Sequence, residues 1–268
     1  MNTSTSPSLV VERVRHTLQV RRLTVQAIER VGANFLRIRF AGDSLHDFVS
    51  ASFDDHAKLM LPAQPGQPLV LPQPGPDGLA LPPGAEKPAM RDYTPRQYDN
   101  AARVLDIEFM LHGDGAASRW AESAQVGDEV GLGGPRGSFV VPTAFDWHLL
   151  VGDETAIPAI ARRLEELPET AQALVVIETA DAGDRRAFDS RASVQLHWVE
   201  TGATDALARA VAALTLPAGE GFAWAGGEAA SIAAVRQVLV GQHGLDKSRV
   251  RASAYWKRGS AGHHETLG

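Results

Sequence analysis

The sequence contains no cysteine. That absence excludes disulfides, thiolate zinc sites, Cys-ligated iron–sulfur clusters and a cysteine nucleophile together. Any redox chemistry in this chain must therefore run through a bound cofactor. Positive charge is also in short supply: Lys plus Arg is 26 against 32 for Asp plus Glu, a formal net charge of −6. Duplex-binding proteins ordinarily carry a clustered positive excess, so no nucleic-acid partner is expected. No apolar run approaches the roughly 18–20 residues that cross a bilayer. A secretory leader needs an apolar stretch of about 7–15 residues after a basic start, and here Glu12, Arg13, Arg15 and His16 interrupt at once. The expectation is a soluble, cytoplasmic, monomeric protein with no membrane partner.

What is present is a 268-residue chain with two rhythms. Single cores stop growing at roughly 250–300 residues, which favours two domains. The first half reads as strands. Thr17–Val25 and Asn34–Phe40 alternate with period two, placing Leu18 and Val20, then Leu36, Ile38 and Phe40, on one face. Ala57–Leu61, Val104–Leu111, Glu129–Leu132 and Ser138–Val141 behave alike. Six short strands suggest an antiparallel six-stranded β-barrel over 17–142, after a flexible tail at 1–16. Between them, 62–90 holds nine of the sixteen prolines. Long loops in compact domains are uncommon and often functional, but a tolerated surface insertion is the simpler reading, because added length costs little closure entropy.

The rhythm changes near Pro142–Asp146. His148–Val151, Ala173–Glu178, Ser193–Val199, Gly221–Ala225 and Val250–Tyr255 read as strands. They alternate with helices at Thr155–Glu166, Asp205–Leu214 and Glu228–Val240. That order predicts a parallel-sheet α/β domain over 146–259, covered on both faces. A tail, 260–268, follows; it holds an adjacent pair, His263 and His264, to which no metal role is assigned.

The chemistry gathers in three places. Arg91-Asp92-Tyr93-Thr94-Pro95-Arg96 offers a guanidinium for a pyrophosphate, an aromatic face for an isoalloxazine and a small hydroxyl for its N5 region. On a strand, Arg91 and Tyr93 share a face. The plain alternative is a surface arginine beside a half-buried tyrosine. Gly152-Asp153-Glu154-Thr155 follows a strand and opens a helix, where a dinucleotide lies in an α/β sheet. It is not G-x-G-x-x-G. Thr155 fits an N-cap and Pro158 a first turn. Asp153 and Glu154 would repel a pyrophosphate, so either they point aside or the nicotinamide end lies here. Gly226-Gly227-Glu228 would admit a nicotinamide ring close to the backbone, or merely relieve crowding.

Several ordered blocks carry a family resemblance. Arg91-x-Tyr93-Thr94-x-Arg96 resembles the flavin motif of siderophore-interacting proteins, the ferric-siderophore reductases of the ferredoxin-reductase-like superfamily. Asp54-Asp55-His56-Ala57-Lys58-Leu59 resembles the family's early DDHxKL strand. His112-Gly113-Asp114-Gly115-Ala116-Ala117-Ser118-Arg119-Trp120-Ala121 resembles its HGxGPASRWA segment, with Ala116 where proline is usual. Gly133-Gly134-Pro135-Arg136-Gly137, Gly152 through Ile160, Trp224 through Glu228 and Tyr255 through Gly259 match in turn.

The resemblance implies an FAD held by Arg91, Tyr93, Thr94 and Arg96, with Tyr93 and Thr94 beside the reacting ring. It implies that His112, Gly113, Ala117 and Ser118 cradle the pyrophosphate or adenine side. Gly152, Asp153, Thr155, Ala156, Gly226 and Gly227 would receive the nicotinamide cofactor. Glu178 or Asp181 would favour NADH; Arg185-Arg186 would accept the 2′-phosphate of NADPH, and the balance falls on NADPH. The implied substrate is a ferric siderophore, its iron staying in its own chelator, with no metal ligands required of the protein. Lys58, Lys257 and Arg258 are the cations expected to meet an anionic chelate. A ferredoxin is the alternative electron donor. The competing functions are a general flavin reductase or ferredoxin–NADP reductase, and a siderophore-binding protein without turnover.

Overall fold

The computed structural model describes residues 9–64, 67–75, 78–113, 115–203, 205–259 and 265–267. The leading octapeptide, Asp114 and the His263–His264 pair lie outside the described residues. The chain divides into two compact units, one of 13–139 and one of 140–268 together with 1–12.

The first unit runs β1 (Glu12–Arg15), β2 (Val20–Arg30), β3 (Phe35–Ala41), β4 (Ala57–Leu61), β5 (Gln73–Gly75), β6 (Gly78–Ala80), β7 (Ala89–Tyr93), β8 (Gln97–Asp99), β9 (Val104–Met110), α1 (Ala116–Ser123), β10 (Glu129–Gly133) and β11 (Gly137–Val140). One curled antiparallel sheet takes seven of these strands, in the order β7-β4-β10-β2-β3-β9-β8. The expected six-stranded set is corrected in membership. The segment expected at Ser138–Val141 leaves this sheet and pairs as β11 with β1, which lay within the expected tail. β1 is exposed at all four positions, so it carries no burial alternation to read. β7 and β8 take the added places.

One register is also corrected. In β2 the inward residues are Arg21, Leu23 and Val25, while Leu18 stays 39% exposed. The cause is Arg21. Its guanidinium is buried because it donates to the Ser44 carbonyl at 2.8 Å and to Asp47 at 2.9 Å, and lies 5.4 Å from the Phe48 ring centroid. A polar residue on the core face therefore masked the true period. In β3, Leu36, Ile38 and Phe40 are buried as expected, packing with Leu59, Ile107, Phe109, Val130 and Leu132. Helix α1 closes this core through Ala117 and Ala121, with Trp120 stacked on Phe40 at 6.3 Å. The proline-rich segment is partly built in. It contains the β5–β6 ladder, Leu69 is buried, and a Cβ on Gly131 would stand 2.2 Å from Leu71.

The second unit runs β12 (Trp147–Gly152), α2 (Ile157–Glu166), β13 (Gln172–Thr179), β14 (Ser193–Glu200), α3 (Ala206–Ala212), β15 (Gly221–Glu228), α4 (Ala229–Gln237), β16 (Val250–Trp256) and β17 (Glu265–Leu267). Its sheet order is β14-β13-β12-β15-β16-β17. The first five are parallel, and β17 pairs antiparallel with β16, so the sheet is mixed and the expected C-terminal tail contributes a strand. The buried β12 and β13 read as continuous apolar runs, as two-sided burial requires. From β12 the chain builds outward to β13 and β14, then returns to start β15 on the other side. The strand order thus reverses between β12 and β15, the place where open α/β sheets form their ligand crevice.

Candidate active site

In the first unit the site residues follow from one strand pair. β7 lies antiparallel to β4, with Tyr93 opposite Ala57, Asp92 opposite Lys58 and Arg91 opposite Leu59. Cross-strand pairing brings the Lys58 ammonium to 2.8 and 3.0 Å from the two Asp92 oxygens. Lys58 is therefore an answered cation, still 44% exposed at its side chain. Arg91 is only partly buried and gives one N–H to the Met90 carbonyl at 2.7 Å. The Tyr93 ring packs 4.5 Å from Phe109. Burial pushes its phenol well above the ordinary range, against a smaller opposing pull from Arg91, so it stays protonated. Thr94 and Arg96 are buried. Arg96 donates its backbone N–H to the Asp106 carbonyl at 2.9 Å, and its guanidinium sits 3.5 Å from Glu108, which also takes Arg37 at 2.7 Å.

The turn into α1 suits an anion. The His112 N–H donates to the Ser118 hydroxyl at 3.0 Å, which folds the turn back on the helix and leaves Ser118 and Ala117 buried. Gly113 takes φ +51°, and Gly115 caps the helix with no side chain accepting from its first turn. No acidic residue stands in the first turn of the helix itself. Amide N–H groups at an acid-free helix start match a pyrophosphate. Beside it lies a groove of about 570 Å³ whose lining includes Leu61, Leu69, Ala89, Ala116, Arg119 and Trp120. A guanidinium, a protonated aromatic, a buried threonine and this helix start together fit an FAD.

The second unit holds its residues at the strand-order reversal. Gly152 and Gly226 are register partners on β12 and β15. A Cβ on Gly152 would come 2.5 Å from the Gly226 carbonyl and 2.3 Å from Ala156, so this approach requires glycine. The cap expected of Thr155 belongs to Asp153. The Asp153 carboxylate accepts the Thr155 N–H at 2.9 Å and the Thr155 hydroxyl. Its other oxygen accepts the Glu228 N–H and the Trp256 indole N–H, each at 2.8 Å. Glu154 turns to the Ala180 N–H. Both carboxyls are engaged in bonds of their own. Burial raises the pKa of Asp153, Glu154 and Glu178, and Asp153 adds to the rise at Glu178. Glu228 behaves oppositely. Burial would raise it, but the N–H groups of Ser231, Arg258 and Ala230 together hold it below the ordinary range.

Lys257 and Arg258 are exposed just past β16, and Arg258 faces Glu178 and Glu228 electrostatically. At the end of β13, Asp181 caps a turn by accepting the Gly183 N–H at 2.7 Å. Arg185 pairs with Glu200 at 3.2 Å, and Arg186 lies 5.9 Å from the Phe188 ring, itself stacked on Trp198. Two residues with a part in this site, Glu228 and Trp256, were not among the sequence-derived candidates. An acid at a strand-to-helix junction was a readable cap signal for Glu228; no local pattern marks the bond between Trp256 and Asp153. Among the described residues no three His, Asp or Glu side chains gather as a metal site, and no helix is long and apolar enough to cross a membrane.

Comparison with known proteins shows the family. Residues 24–139 match the family model described as the siderophore-interacting FAD-binding domain, and 145–259 match the model described as siderophore-interacting protein. The chain is 39% identical over 247 residues to the NADPH-dependent ferric-chelate reductase of Escherichia coli (strain K12), covering 91% of this chain and 96% of that protein. It is 34% identical over 235 residues to the ferric vibriobactin reductase ViuB of Vibrio cholerae, covering 85% and 86%. The crystal structure of a siderophore utilization protein from T. fusca superposes with TM-score 0.85 at 36% identity, over 95% of this chain and 98% of that one. The ferredoxin reductase in carbazole 1,9a-dioxygenase shares the fold at 19% identity, with TM-score 0.61 over 87% and 68% of the two chains.

Proposed function

The chain belongs to the siderophore-interacting protein family, and from that premise we propose that it is an FAD-containing, NADPH-dependent reductase of ferric siderophores. The observation that carries this reading is the first unit's combination of Arg91 and Tyr93 on strand β7, Thr94 just past its end, and a helix at Ala116 with no acid in its first turn. FAD, when bound, would supply the redox chemistry that links a two-electron donor, NADPH, to a one-electron acceptor, Fe(III). The protein's own residues bind and orient. Arg91 and the first-turn amides of α1, including those of Ala117 and Ser118, hold the pyrophosphate. His112 and Gly113 shape that turn. Tyr93 would offer the ring a neutral aromatic face, Thr94 would offer it a hydroxyl, and Arg96 fixes the turn through Glu108.

In the second unit, Gly152, Ala156, Gly226 and Gly227 let a nicotinamide approach the backbone, while Asp153 and Thr155 set the turn beside it. Arg185 and Arg186 receive the 2′-phosphate, which makes NADPH the preferred donor ahead of NADH or a reduced ferredoxin. Lys58, Lys257 and Arg258 attract the anionic chelate. Iron is substrate, bound by the siderophore's own oxygens, and leaves because Fe(II) is held more weakly by such hard donors. On this reading the chain acts as a cytoplasmic monomer.

An anaerobic spectral titration tests this. The purified protein takes up FAD, NADPH bleaches the flavin band faster than NADH does, and a ferric siderophore restores it. A protein that takes up no flavin overturns the proposal. Faster turnover with free flavin than with any ferric siderophore would favour a general flavin reductase instead.

A further inference from the structure

One carboxylate joins three strand ends at the reversal point of the second sheet. Asp153 follows β12, Glu228 closes β15 and Trp256 closes β16, where Glu228 and Trp256 are register partners. Asp153 is 8% exposed. One oxygen accepts from Thr155 twice; the other accepts from the Glu228 N–H and from the Trp256 indole, both at 2.8 Å. A carboxylate has about four acceptor sites, and all are taken. Gly227 is pressed over this carboxylate at φ +147°, where a Cβ would stand 2.6 Å from it. The indole differs in kind. Its N–H edge is anchored, yet the residue is 37% exposed, one of the few large apolar side chains left in solvent.

This arrangement fixes which ligand chemistry the place accepts. Asp153 and Glu154 occupy the Thr155, Glu228 and Ala180 N–H groups that would otherwise receive a pyrophosphate. It suits an uncharged planar ring that packs against an aromatic wall and the glycine backbone. We propose that Asp153 is a positioning residue that acts through Trp256: its carboxylate holds the indole as the wall against which the nicotinamide of NADPH docks. This rests on the NADPH-dependent reading above. The indole has a single N–H, so anchoring it to a buried acceptor fixes the rotation of the ring.

A double-mutant cycle tests it on the FAD-loaded protein. Trp256→Phe keeps an aromatic ring and removes the donor. Asp153→Asn keeps the volume and can keep the Thr155 bonds, but presents a donor both to the indole and to the Glu228 N–H. Each single variant is expected to raise the KM for NADPH about tenfold, the size of one hydrogen bond, with kcat and FAD content near wild type. The double variant is expected to match the singles, because Asp153 works through Trp256. Trp256→His, which retains a ring N–H, recovers part of the loss. Independent effects that multiply in the double variant overturn the proposal. So does an unchanged KM in Trp256→Phe, which decides the matter even if Asp153→Asn fails to fold. Wild-type flavin that NADPH does not bleach overturns the functional reading and this proposal together; bleaching in wild type with an unchanged KM in Trp256→Phe overturns this proposal alone.

Discussion

Around the two candidate sites, one in each unit, charge is managed in opposite ways. In the first, carboxylates answer cations across strands: Glu108 takes Arg37 and Arg96, Asp106 takes Arg39 through two bonds of 2.7 and 2.8 Å, and Lys58 takes Asp92. In the second, Asp153, Glu154 and Glu228 are satisfied mainly by backbone N–H groups at strand and helix ends. Paired charges keep a surface electrically balanced while leaving arginines at its edge, as anion binding requires. Carboxylates held by amides occupy the donors that would otherwise receive a phosphate. The first arrangement invites a pyrophosphate; the second turns one away and leaves room for a neutral ring.

Breaking that balance in the first unit has the largest expected effect. Glu108→Ala leaves two guanidiniums without their buried counter-charge. Removing one partner of a buried pair typically costs about 3–5 kcal/mol, and the denaturant midpoint should fall accordingly, whereas Glu108→Gln should lose less. The second unit offers a pH-dependent counterpart in His148. Burial, then the nearby Arg163, lowers its pKa to about 3, so it is neutral in the folded chain. The unfolded chain, with an ordinary histidine near 6.5, binds the proton first. Stability is therefore complete above that value and is lost as pH falls toward about 3. Between pH 7 and pH 5 the loss should be on the order of 2 kcal/mol, read by denaturation at both pH values. His148→Gln should flatten this slope; an equal slope in the variant would remove His148 as its cause.

Smaller effects sharpen the contrast at the ligand. Arg91→Lys replaces a planar fork with a point charge, and FAD affinity should drop about tenfold with little change in melting. Flavin fluorescence titration checks this. Smallest is the effect of releasing Lys58. Asp92→Asn should lower the KM for an anionic ferric chelate by about two- to threefold, and added salt should erase the gain. Lys58→Ala should move the same constant upward.

How legible all this was in the sequence depends on what each feature needed. β4 was readable to the residue because it is a short apolar run interrupted only by Lys58, its one half-exposed position. β2 was read one residue out of register because Arg21 finds its partners in a loop more than twenty positions away. β1 and β8 are short and poorly buried, and β17 is three residues long, so none carries a pattern. The Arg91–Arg96 block announced its chemistry through residue types alone. The Asp153–Trp256 bond spans 103 positions and exists only because β12 and β16, the two parallel strands flanking β15, end at the same edge of the sheet.

β17 has a consequence for the life of the protein in a crowded solution. A parallel sheet whose last strand is open offers its unpaired backbone to any passing chain, which is how edge-to-edge assembly begins. Here Glu265–Leu267 covers Ala252–Ala254 of β16, and its first residue is an exposed carboxylate. Three residues make a poor template for further addition, and the charge repels a neighbour. The segment works as a selvedge, a short finished border on the β16 side of the sheet.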